Sequence, residues 1–437
     1  MKYLMIFLLA LHLIAGDDEN LILLAYESGL QPVPARFTGL MLLLDEEPEA
    51  FSAEKVALGK KLFFDRNLSL GRDVSCASCH RFDRGGADGR PTAVGHLRRE
   101  NPYHLNTPTV FNTAFSKKLF WDGRSETLED QAKGPLQAPF EMAITPKAAE
   151  RRVRADGEYA GRFRAVYGGR GVTFDTIVDA IAAYEKTLQT RGRYDDFLLG
   201  YTDALNAGEK EGLKLFITKG CVGCHNGIGL GGQAVRKFPL SYHGIWSLGR
   251  PKQIDRLKKR YSFAVEALRR RAFEDDAARL RYLKAQLGER DLVLLENGFF
   301  DRIDANERAA VMTLSGCSAC HTEGSRGIKE ALLPQIAFPF ENRGGFTGAP
   351  NRYFRVPLLR NAVKTPPYFH NGSVKRLEEA IRVMGIHQLR TNLTENEIGK
   401  IVAFLRAVDG APVTYDIAAQ NDMRKRVRGK ESSNTGR

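Results

Sequence analysis

The sequence predicts a mainly α-helical protein of two linked units, with a further segment inserted into the second. Two observations carry this. The pattern C-x-x-C-H occurs three times, at residues 76–80, 221–225 and 317–321, and uses all six cysteines. A capped helix also runs toward each copy. Asn206-Ala-Gly-Glu209 opens the one before Cys221, Asp304-Ala-Asn-Glu307 opens the one before Cys317, and Ser52-Ala-Glu54 starts one further ahead of Cys76.

Paired thiols followed at once by a histidine form the attachment site of c-type haem. Cys76 and Cys79, Cys221 and Cys224, and Cys317 and Cys320 would add to porphyrin vinyl groups. His80, His225 and His321 would become axial ligands of the iron. A zinc or redox C-x-x-C pair would leave the histidine at the same offset in all three copies unexplained. Three covalent haems are therefore expected, with no cysteine left for a disulfide. A capped helix leading into C-x-x-C-H is how a small cytochrome c domain begins. The expected fold is thus two cytochrome c-like domains, with an inserted third haem-binding segment in the C-terminal one.

The elements follow in order. Residues 1–16 read as a secretory signal: Met1-Lys2, a short apolar run, then Ala15-Gly16 before the acidic Asp17-Asp18-Glu19. The run is short for a bilayer span, although an uncleaved anchor is the competing reading. Export fits the motifs, because bacteria attach c-type haem outside the cytoplasmic membrane, so a periplasmic location is expected. Residues 17–200 form the N-terminal domain, in which 174–190 carry Ile177, Ile181, Tyr184 and Leu188 on one helical face. Residues 201–205 are the joint. The C-terminal domain runs over 201–416 and ends in a helix opened by the capping box Thr394-Glu-Asn-Glu397 and stopped by Gly410 and Pro412. Residues 243–342 are the insertion, and 417–437 a basic disordered tail.

The formal net charge is +13, part of it in residues 250–290 and the tail. Nucleic acid is the usual partner of such a balance, but export and haem set it aside. A solvated helical face is the plainer reading, and an acidic partner or an anionic membrane surface stays open.

Further blocks carry a resemblance. They are Gly85-Gly-Ala-Asp-Gly89, Phe120-Trp-Asp-Gly-Arg124, Gln131-Ala-Lys-Gly-Pro135 and Phe140-Glu-Met142. Later come Phe354-Arg-Val-Pro-Leu-Leu-Arg-Asn361, Thr365-Pro-Pro-Tyr-Phe-His-Asn-Gly372 and Val383-Met-Gly-Ile-His-Gln-Leu389. In this order and spacing they resemble the bacterial di-haem cytochrome c peroxidase family, which includes the MauG-type enzymes. The third motif departs from the two-haem pattern.

The resemblance implies roles. The haem on His80 is the peroxide-reacting one, and His96 is the histidine that caps its other face until a loop moves. Glu141 is the distal acid–base, Gln131 a hydrogen-bonding neighbour, and Trp121 the tryptophan between the two haems. The haem on His225 transfers electrons, with Met384 as its second axial ligand. In MauG-type enzymes that ligand is tyrosine, so methionine favours a peroxidase. Asn106, Thr365 and Pro367 match positions that hold a calcium ion, the last two through backbone carbonyls. For the third haem, His243, His387 and Met312 are loose candidates for the sixth position, and a five-coordinate iron is equally open.

The expected function is a periplasmic multihaem peroxidase that reduces hydrogen peroxide to water. Its electrons would come from a small cytochrome c, a cupredoxin or a quinol-linked donor, with the extra haem extending the wire. A MauG-like oxidase acting on a partner protein and a plain multihaem electron carrier are the alternatives. The retained Glu141 and Gln131 speak against the carrier. A homodimer is left open.

Overall fold

The computed structural model describes residues 17–45, 51–238, 346, 348, 353–389 and 391–417. The expected signal, the insertion with Cys317, Cys320 and His321, the candidates His243 and Met312, and the tail from residue 418 lie outside the described residues.

Helices α1 (Asp17–Glu27), α2 (Phe37–Leu44) and α3 (Ala53–Phe64) come first. They are followed by α4 (Leu128–Gln137), α5 (Pro146–Ala155), α6 (Gly157–Tyr167) and α7 (Phe174–Lys186). Then come α8 (Arg193–Leu198), α9 (Ala207–Thr218), α10 (Leu377–His387) and α11 (Glu395–Val408). The expected caps among the described residues are in place, and the one at Asp304 lies outside them. Ser52 Oγ accepts from the Lys55 N–H at 3.0 Å, and Asn206 with Glu209 and Thr394 with Glu397 form reciprocal capping boxes. Two short antiparallel pairs complete the fold: β1 (Thr190–Arg191) with β4 (Ala411–Pro412), and β2 (Val235–Lys237) with β3 (Tyr353–Arg355).

One helix is shorter than its apolar stripe suggests. α7 ends at Lys186, not at 190, because tertiary hydrogen bonds claim the next residues. The Asn112 N–H donates to the Leu188 carbonyl at 2.8 Å, and the Thr190 N–H donates to Asn112 Oδ1 at 3.0 Å.

The described residues build two main cores. The first packs Leu58, Leu62 and Phe63 of α3 against Ile177, Ile181 and Tyr184 of α7. The second packs Leu213, Phe216 and Ile217 of α9 against Ile401, Phe404 and Leu405 of α11. Both pairs cross at a glycine. A Cβ on Gly59 would lie 1.8 Å from the Ala180 carbonyl oxygen, and one on Gly212 would lie 2.0 Å from that of Lys400. Only glycine lets the backbones come so close. The cores do not part at residue 200 as expected. Leu21, Ile22 and Tyr26 of α1 and Tyr194, Phe197 and Leu198 of α8 lie in the second core. The buried pair Asp195–Arg360, 2.7 Å apart and fully enclosed, fixes α8 there. Apolar surface and a desolvated ion pair thus draw both ends of the first segment across the seam.

The units also share a loop plan at one constant offset. Asn112 and Asn361 take the same left-handed conformation (φ 61°) and cap the short turns Thr113–Phe115 and Ala362–Lys364. Bridges pair Leu119 with Ser125 and Tyr368 with Val374. The helices after them start at matched positions, Leu128 and Leu377. The same offset takes Trp121 to His370, Asn106 to Arg355 and Pro135 to Met384.

Candidate active site

Each of the two described C-x-x-C-H motifs sits in the wall of its own cavity. The first cavity, about 530 Å³, is lined by Cys76, Cys79 and His80 with Trp121, Gln131 and Glu141. The second, about 210 Å³, is lined by Cys221, Cys224, His225 and Met384. The histidines are set alike. His80 Nδ1 lies 3.1 Å from the Gly86 carbonyl and His225 Nδ1 lies 3.2 Å from the Leu230 carbonyl. A carbonyl can only accept, so Nδ1 carries the proton and Nε2 keeps its lone pair for a metal. Burial, against those carbonyls, lowers both imidazole pKa values, that of His225 to about 4. Neutral imidazole is the ligating form, and two thiols stand beside it in each cavity. The residues therefore fit haem c.

The cavities differ in what else they hold. Glu141, in the short turn after α4, is half-buried, and burial pushes its carboxyl up to about 7 against the pull of the Arg124 guanidinium. A carboxyl that titrates near neutrality can both take and return a proton. Gln131 reaches the same cavity from α4. The second cavity holds Met384, from α10, on its wall.

His96 does not line the first cavity, although Val94 and Gly95 do. It is 4% exposed, with Nδ1 2.9 Å from Asp73 Oδ1, while its N–H donates to the Glu141 carbonyl at 2.6 Å. Its berth needs Gly71, where a Cβ would meet the imidazole at 2.5 Å. Burial alone would raise the Asp73 carboxyl. Hydrogen bonds from His96 and the Leu97 N–H outweigh that and hold it at about 2.

Trp121 borders both cavities, with its indole N–H donating to the Asn106 carbonyl at 2.8 Å. Its ring meets that of His370 edge-on, centroids 6.3 Å apart. Across the seam, the Asn106 N–H donates to the His370 carbonyl at 2.6 Å and the Arg355 N–H to the Trp121 carbonyl at 2.8 Å. Asn106, Thr365 and Pro367 all line the second cavity. His387, at the end of α10, lines neither cavity.

Sequence reasoning missed three residues here. Glu185 lines the first cavity, with Oε2 buried and unpartnered, and burial together with the Glu129 carboxylate pushes it up to about 8. Asp73 holds His96. Arg355 borders both cavities. The offset between the two loop plans, which the structure reveals, makes Arg355 the partner position of Asn106.

Two cavities that each fit haem c, with a tryptophan bordering both, point to a di-haem c-type protein. Known proteins agree. The di-haem cytochrome c peroxidase family matches residues 53–203. The cytochrome c551 peroxidase of Nitrosomonas europaea is 33% identical over 360 residues, covering 82% of this chain and 81% of that protein. The cytochrome c551 peroxidase of Pseudomonas aeruginosa is 33% identical over 383 residues, 87% of this chain and 84% of that one. The methylamine utilization protein MauG of Methylorubrum extorquens is 36% identical over 205 residues, 46% of this chain and 58% of MauG. Among solved structures, a MauG-like protein associated with microbial copper homeostasis shares the fold at TM-score 0.53 and 23% identity, covering 84% of this chain and 93% of that one. The chain belongs to the di-haem cytochrome c peroxidase family. Its activity is that of a cytochrome c peroxidase, with haem c held covalently.

Proposed function

We propose that the first cavity reduces hydrogen peroxide to water and that the second receives electrons from a small periplasmic redox protein, a cytochrome c or a cupredoxin. The observation that carries this is the asymmetry of the two walls: Glu141, titrating near 7, faces one cavity, and Met384 faces the other.

Haem c, when bound, supplies the iron that takes peroxide and the electrons that cleave it. The rest is work for the side chains. The Glu141 carboxylate accepts the proton that peroxide loses and returns it to the departing oxygen. Gln131 orients peroxide or water by hydrogen bonding. Asp73 holds His96, the residue matched to the capping histidine, outside the cavity wall, where it leaves room for peroxide. Trp121 provides the bridge across the seam. Met384 raises the potential of the electron-receiving site, as a thioether ligand does.

Two relatives matched over more than four-fifths of this chain are named cytochrome c551 peroxidases, which supports a cytochrome donor. The oxygens of Asn106, Thr365 and Pro367 suit calcium, a hard cation. The motif Cys317, Cys320 and His321 would add a third haem on the donor side. Met384, in place of tyrosine, favours this reading over MauG-like oxidation of a partner protein.

Glu141→Gln keeps the shape and removes the base. With reduced cytochrome c as donor, peroxide turnover should fall about 100-fold or more, with haem content unchanged. The pH profile sharpens the test. The carboxylate is the active form and its pKa lies near 7, so wild-type kcat/KM should fall about tenfold per pH unit below that point. The variant should lose this limb. Near-normal turnover in the variant would overturn the assignment.

A further inference from the structure

Two arginines of the second unit are buried almost completely, and the chain treats them differently. Arg360 is fully enclosed and paired with Asp195, Nη1 to Oδ2 at 2.9 Å and Nη2 to Oδ1 at 2.7 Å. Arg355 is 4% exposed, and none of the carboxylates among the described residues pairs with it. Its Nε donates to the Phe120 carbonyl at 3.1 Å, which leaves both Nη groups. Arg355 borders the first and the second cavity alike. The guanidinium lies 5.7 Å from the centre of the Trp121 ring. Burial draws its pKa down to about 10.

A buried, unpaired guanidinium is destabilising and is kept where an anion reaches it. Each cavity takes a haem c, and each haem c brings two propionate carboxylates. Their planar, bidentate shape matches the guanidinium fork. Its counterpart at the matched position of the first unit is Asn106, a neutral residue.

We propose that Arg355 is the haem-propionate counter-ion at the seam between the two cavities, fixing the propionate edge beside Trp121. This inference rests on haem c in the two C-x-x-C-H cavities, not on which cavity reacts with peroxide. A fixed positive charge next to a propionate offsets its negative charge and so favours the ferrous iron. Removing it should lower the midpoint potential of the haem it touches.

The test uses the haem-loaded full-length protein, with Arg355→Met and Arg355→Lys beside the wild type. Redox titration should show a lowered midpoint in Arg355→Met and a value near wild type in Arg355→Lys. The propionate bending modes in the resonance Raman spectrum should shift in Arg355→Met. Unchanged midpoints and bands in that variant, with both haems attached, would overturn the proposal. If Arg355→Met does not load haem, a crystal structure of the loaded wild type decides. An Nη within about 3 Å of a propionate oxygen supports the proposal, and its absence rejects it. Neither readout involves turnover, so a failed peroxidase assignment would leave them standing.

Discussion

The first and second units run one loop plan to opposite ends. In both, an Asn-capped turn leads through a bridge-closed loop to a helix that starts at a matched position and overlooks the haem cavity. Two turns into that helix the first unit has Pro135 and the second has Met384, each on its cavity wall. A proline ring offers iron no lone pair, whereas a thioether does. The first cavity adds Gln131 where the second has Ala380, and it adds Glu141 from the turn beyond. On the proposed reading, function is set by a few side chains on a shared frame: one wall carries Glu141 and no iron ligand at the matched position, and the other presents the thioether of Met384.

The largest effect should come from making the first unit like the second. Pro135→Met places a thioether at the position matched to Met384. The ferric haem on His80 should become six-coordinate and low-spin, and peroxide turnover should fall at least about 100-fold, as for any lost open position. Absorption spectra and turnover measure this together. A high-spin first haem in the variant would mean that the shared loop plan does not extend to ligand geometry.

The reverse manipulation is milder, because it retains a ligand. Met384→His exchanges the thioether for a stronger donor that stabilises ferric iron. The second haem's midpoint should drop by on the order of a hundred millivolts, within the range axial ligands control. Ordinary donors would then fail to reduce it, while the haem on His80 keeps its spectrum. An unchanged midpoint would make Met384 a core methionine.

Much of this was legible in the sequence, for identifiable reasons. C-x-x-C-H is local chemistry with rigid spacing, so the two described attachment sites could be read directly. Ser52, Asn206 and Thr394 cap their helices because capping is also local. The placement of α1 and α8 in the second core was not legible, since it depends on apolar surfaces far apart in the chain. Nor were Asp73, Glu185 and Arg355. A charged residue looks the same in sequence whether solvated or buried, and only burial makes Arg355 exceptional and lifts Glu185 to about 8. His96 was legible as a candidate. Its berth beside Asp73 and Gly71 was not, because the turn that makes it is tertiary.

The smallest effect tests the frame itself. In an open helix, alanine is favoured over glycine by about 1 kcal/mol, so Gly→Ala normally stabilises. Gly161 on α6 is such a case, since nothing lies within 4 Å of its would-be Cβ. Gly59 is not. Its Cβ would press on the Ala180 carbonyl, and α3 and α7 would have to separate. Overpacking of this kind costs about 1–3 kcal/mol or more, enough to reverse the sign of the propensity gain. Gly212→Ala should behave likewise at the α9–α11 crossing. Thermal melts of the haem-loaded variants should therefore place Gly161→Ala at or above wild type and both crossing variants below it. If only one crossing variant falls, the two units do not share their helix packing, and the correspondence between Pro135 and Met384 would rest on the loops alone.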